Sequence, residues 1–102
     1  MFTISSGTVT IKNVTIQNGG GFPTFGGGIV NDGTLTVQDC TISNNVPSDG
    51  NGGGIRNNGT LTVRTSTISG NRANVDGGGI SSSSAPGTFP TLTLQNSTVT
   101  QN

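Results

Sequence analysis

The chain has 102 residues, only 27% of them hydrophobic, and four cationic side chains balance four carboxylates. That apolar fraction is too small for an ordinary two-layer core, and a neutral chain has no field to hold nucleic acid or an anionic membrane. His, Trp and Tyr are absent, and Asp32, Asp39, Asp49 and Asp76 account for every carboxylate, so the usual general bases and the flat rings that stack on sugars or bases are missing.

Read in order, the chain repeats one phrase. The opening MFTISSGTVT lacks a charged start followed by an apolar run, so it does not read as a signal peptide. GTVTI at 7 returns as GTLTV at 33 and at 59, and GGGI stands at 26, 52 and 77. TIQ at 15, TIS at 41, TIS at 67 and TVT at 98 keep the same beat until the insert SSSSAPGTFP lengthens the last interval. A fixed period of about 26 residues means one supersecondary unit stacked on copies of itself.

Within each unit the alternation has period two, as in Thr34-Leu35-Thr36-Val37, which selects strands over helices. A first short strand holds Ile29, a second holds Leu35 and Val37, and a third holds Ile42. Asn31-Asp32-Gly33 and Asn57-Asn58-Gly59 are expected to supply positive-φ turns between the first and second strands, with 46–51 and 72–76 as return loops. The expected fold is all-β: a parallel β-helix of about four coils, three short strands per coil, each strand paired with its equivalent one coil away.

The inward columns are then Val9–Leu35–Leu61–Leu92, Ile11–Val37–Val63–Leu94, Ile16–Ile42–Ile68–Val99 and Ile29–Ile55–Ile80. A smaller column, Val14–Cys40–Ser66–Ser97, falls at the bend between the second and third strands. Cys40, the single cysteine, is read there as a packing residue and not as a reactive thiol. Asn45, Asn71 and Asn102 follow the inward residue by three positions in each coil but the first, where Gly19 stands. They are expected to form an inward amide ladder, the alternative being a row offered to a ligand. The triple glycines are read as tight corners, since a phosphate loop would need Gly-Lys-Ser/Thr and a following helix.

GGGIVN with TISNN, and GGGIRN with TISGN, resemble the paired GGA-I and F-x-x-N repeats of the polymorphic outer membrane proteins and related right-handed β-helix repeats of bacterial surface and secreted proteins. The likeness runs over residues 7–102, with Ile or Val in place of Phe. It implies a right-handed parallel β-helix, an extracellular or cell-surface location, and a non-catalytic adhesive or display scaffold.

Three functions follow from these residues. The leading one is a structural or adhesive module, making contacts through the loops that carry Phe22, Phe25 and Phe89 to a surface ligand the sequence does not identify. Its coil ends are expected to be open, and to be covered by copies of the chain or by flanking coils of a longer solenoid. The second is a surface-binding face made by the outward pairs Thr8/Thr10, Thr34/Thr36, Thr60/Thr62 and Thr91/Thr93, which resembles the ice-binding face of insect β-helical antifreeze proteins. The third is a polysaccharide-acting enzyme of this fold, which would need a carboxylate cluster. Asp49 and Asp76, in return loops one coil apart, are weak candidates for a shared Ca²⁺. No cofactor and no membrane insertion are expected.

Overall fold

The computed structural model describes residues 2–21, 26–48, 50, 52–84, 87 and 89–102. Four coils contain β1 (Phe2–Ile4), β2 (Thr8–Lys12) and β3 (Thr15–Gln17); β5 (Ile29–Asn31), β6 (Thr34–Gln38) and β7 (Thr41–Ser43); β9 (Ile55–Asn57), β10 (Thr60–Arg64) and β11 (Thr67–Ser69); and β12 (Ile80–Ser82), β13 (Thr91–Gln95) and β14 (Thr98–Thr100). Two further short strands, β4 (Gly20–Gly21) and β8 (Val46–Pro47), follow the third strand of the first and second coils.

Each strand hydrogen-bonds to its counterparts in neighbouring coils. Among the described residues this gives three four-stranded parallel sheets, ordered β1-β5-β9-β12, β2-β6-β10-β13 and β3-β7-β11-β14, and one two-stranded sheet, β4-β8. The register is the one the repeat dictates: Leu61 pairs with Leu35 and Leu92, and Ile42 with Ile16 and Ile68. Side chains of one type therefore stack coil on coil. Leu35, Val37, Ile42, Ile55, Leu61, Val63 and Ile68 are fully buried.

Three expectations need correction. The positive-φ residues are not at Asn31 or Asn57. Instead Asn13, Asp39, Thr65 and Asn96 turn the chain between the second and third strands, and Asn18, Asn44, Gly70 and Gln101 turn it after the third. Asn31 and Asn57 end their strands with buried side chains, and they shape the turn through those side chains: Oδ1 of each accepts the N–H two residues on, from Gly33 and Gly59. Residues 46 and 47 are not loop, because β8 pairs in parallel with β4. Finally, four end members of the apolar columns are not core: Val9, Leu92, Leu94 and Val99 are 37–48% exposed, whereas Ile16 and Ile29, also first in their columns, are buried.

The glycine triples make a fourth, strandless column. N–H groups of Gly27, Gly28 and Ile29 donate to carbonyls of Gly52, Gly53 and Gly54, and those of Gly53, Gly54 and Ile55 donate to Gly77, Gly78 and Gly79. Two backbones pass so closely there that side chains are excluded: a Cβ on Gly54 would lie 2.6 Å from the Gly79 carbonyl oxygen. The first glycine of each triple closes over the outer face of the first sheet, against Val30, Arg56 and Ser81 in turn.

Candidate functional site

The chemistry-bearing side chains divide into an inner set that holds the coils together and an outer set that faces solvent. In the inner set, Asn45 donates Nδ2–H to Oδ1 of Asn71 (2.8 Å) and to the Ile16 carbonyl (3.1 Å), and its own Oδ1 accepts the Gly19 N–H (2.7 Å). Asn71 repeats the arrangement one coil on, donating to Oδ1 of Asn102 (3.0 Å) and to the Ile42 carbonyl (2.9 Å). Asn45 and Asn71 are buried, and their amides satisfy turn backbone that the bend would otherwise strand. Asn102, with no coil over it, is exposed.

A second amide ladder runs through Asn31 and Asn57, residues expected from the sequence to serve as positive-φ turns. Asn31 donates to Oδ1 of Asn57 (2.9 Å) and to the Thr60 carbonyl (3.0 Å); Asn57 donates to Oγ of Ser82 (3.1 Å) and to the Thr91 carbonyl (3.1 Å). The signal available in the sequence was their recurrence directly after the inward Ile-x pair, at the same spacing as the other ladder.

The small column is a third ladder, of thiol and hydroxyls. Cys40 is buried and its Sγ–H donates to the Gln38 carbonyl at 3.1 Å. Oγ of Ser66 accepts the Cys40 N–H (3.1 Å) and donates to the Arg64 carbonyl (2.7 Å); Ser97 treats Ser66 in the same way. Val14 occupies the position in the first coil and is 43% exposed.

The outer set is a lattice of hydroxyls. Register places Thr8, Thr34, Thr60 and Thr91 in one row and Thr10, Thr36, Thr62 and Thr93 in a second. A third unbroken row, Thr15, Thr41, Thr67 and Thr98, continues it onto the adjoining sheet. This row is not among the expected binding residues, although the Thr before each inward Ile or Val announces it. Strand geometry spaces these hydroxyls about 4.8 Å between coils and about 6.8 Å along a strand.

Phe89 is 92% exposed. Phe22 and Phe25 lie outside the described residues, as does Asp49. Asp76 is exposed, and its backbone carbonyl accepts the Gly52 N–H (2.9 Å). Among the described residues, no three His, Cys, Asp or Glu side chains come together, and no helix is long and apolar enough to cross a membrane.

A repeated coil, a ladder at each inner corner and parallel pairing throughout define a β-solenoid. The family described as the right handed beta helix region matches residues 1–102, the whole chain, and the protein belongs to that family. The family includes both enzymes and non-enzymes. Searches of curated proteins and of solved structures matched nothing.

Proposed function

We propose that this protein is a non-catalytic structural module of a bacterial cell-surface or secreted β-solenoid, presenting its loops and its hydroxyl lattice for adhesive contact. The observation that supports it is the division of labour among polar side chains. The buried polar groups of the three ladders bond one coil to the next, and the outward strand positions are dominated by neutral hydroxyls. The likeness to polymorphic outer membrane protein repeats favours the same reading. An adhesive partner would meet Phe89 and the Thr rows, an exposed aromatic beside a regular polar surface.

The test is retention of chain-coated beads under flow on panels of matrix proteins and glycans, with Phe89→Ala and Thr60→Lys as surface variants. Retention that these variants reduce supports the reading. Conversion of a polysaccharide, seen as new reducing ends or unsaturated uronide absorbance, would overturn the non-catalytic part of it.

The unbroken register of the Thr rows favours one second reading, adsorption to a crystalline surface such as ice. Thermal hysteresis in the parent, lost in Thr60→Lys with the fold retained, is its expected signature; no hysteresis in the parent ends it.

A further inference from the structure

Three asparagines stand two positions before a threonine, in Asn13-Val14-Thr15, Asn58-Gly59-Thr60 and Asn96-Ser97-Thr98. This is the acceptor pattern for N-linked sugars, and it carries meaning only where the asparagine lies at the surface. The fold sets it apart from the buried amides. Asn31, Asn45, Asn57 and Asn71, which build the inner ladders, are followed two positions on by Gly33, Pro47, Gly59 and Ala73, so none of them carries the pattern.

Asn13 and Asn96 occupy one corner of the solenoid, between β2 and β3 in the first coil and between β13 and β14 in the fourth. Both take positive φ, 56° and 48°, a region that Asn tolerates. The corner faces solvent in the inner coils as well: Asp39 and Thr65, each with a coil on either side, are exposed at the same place, while Cys40 and Ser66 after them turn inward. The exposure of Asn13 and Asn96 is therefore a property of the corner. Among the described residues neither side-chain amide is used in a hydrogen bond, and Thr15 and Thr98 are exposed as well. Each acceptor amide and its hydroxyl are thus presented together.

Asn58 differs. It is half-buried, its Nδ2 donates to Oδ1 of Asp32 (2.8 Å), and the N–H of Gly59 beside it donates to Oδ1 of Asn57 (3.2 Å). The amide that would have to react is committed to a carboxylate, and its backbone is tied to the ladder.

We propose that Asn13 and Asn96 are N-glycosylation sites of the folded chain, with a diphosphate-activated sugar as co-substrate, and that Asn58 is not. In the transfer, Nδ2 of the asparagine bonds to the anomeric carbon of the sugar and the bond from that carbon to the diphosphate oxygen breaks. The diphosphate leaves with the electron pair, and one amide proton passes to a base of the transferase. The two sugars stand three coil steps apart, about 14 Å, along the edge where the two Thr-bearing sheets meet. This goes beyond the adhesive reading and does not depend on it.

The test is sugar transfer to the purified, folded chain, read by intact mass and peptide mapping. One arm supplies UDP-glucose with a soluble N-glycosyltransferase; the other supplies a polyprenyl-diphosphate oligosaccharide with an oligosaccharyltransferase. The expected result is two sugars per chain, at Asn13 and Asn96, with Asn58 bare, and the arm that delivers them identifies the donor. Asn13→Gln and Asn96→Gln should each lose one sugar with the circular dichroism unchanged, since Gln101 already holds the same φ region. Thr15→Ala and Thr98→Ala should lose the same sugars with the asparagine still in place. Asp32→Ala should release Asn58 and add a third sugar. Transfer to Asn58 ahead of the corner sites, or sugar missing from Asn13 or Asn96 in both arms while a control acceptor peptide is converted, would each overturn the proposal.

Discussion

Nδ2 of Asn71 lies 3.0 Å from the position a Cβ would take on Gly54. The same approach recurs between Asn45 and Gly28 (3.1 Å) and between Asn102 and Gly79 (2.8 Å). The GGGI phrase and the Asn three residues after the inward Ile are therefore two sides of one corner. The amide ladder fills the inside of the bend, and only a residue without a side chain can cross over it.

Gly54→Ala tests that corner. The added methyl meets the Gly79 carbonyl and the Asn71 amide together, and both are pinned by inter-coil hydrogen bonds. We expect a loss of about 2–3 kcal/mol by urea denaturation. Gly7→Ala is the contrast: its Cβ would have open space, so the only cost is its φ of +80°, about 1 kcal/mol, and Gly7→Asn should recover part of it.

Asn71→Ala isolates the ladder. It removes the acceptor of the Asn45 backbone N–H, one of the two acceptors of Asn45 Nδ2, and the amide donor to the Ile42 carbonyl, in a buried position. Two or three stranded polar groups should cost about 2–4 kcal/mol. Asn102→Ala removes the equivalent amide at an exposed coil, where water replaces it, and should cost a fraction of that.

The hydroxyl column makes a milder prediction for Cys40→Ser. Ser66 shows that a hydroxyl fits one coil on, donating to the carbonyl two residues back as the thiol of Cys40 does. The substitution should change stability by less than about 1.5 kcal/mol. In the parent, the buried thiol should react with an aromatic disulfide reagent only as fast as the chain unfolds.

The apolar columns were legible because two periods coincide: alternation within a strand chooses which side chains point inward, and the 26-residue repeat chooses which ones stack. Leu35, Val37 and Ile42 needed nothing more. Asn31 and Asn57 were misread because Asn-Asp-Gly and Asn-Asn-Gly carry ordinary turn chemistry, and the side chain, not the backbone dihedral, performs the turn here. Thr65 at φ 46° could not have been foreseen, since a β-branched residue rarely adopts that region. It stands in the bend because its counterparts Asn13, Asp39 and Asn96 do, and stacking in register imposes one corner geometry on every coil. The β4–β8 pairing was hidden for the opposite reason: Gly20-Gly21 and Val46-Pro47 share no composition, and position alone aligns them.

Position along the solenoid should also grade the cost of emptying one column. Ile68 is fully buried with Ile42 on one side and Val99 on the other, so Ile68→Ala removes contacts in both directions and should cost about 2–5 kcal/mol. Val99 is 43% exposed with one neighbouring coil, and Val99→Ala should cost about 1 kcal/mol in dilute chain. The difference follows from stacking in register, since each coil buries the inward side chains of the next; parallel urea titrations of the two variants measure it, and equal costs would mean that the second neighbouring coil adds nothing to the burial of Ile68.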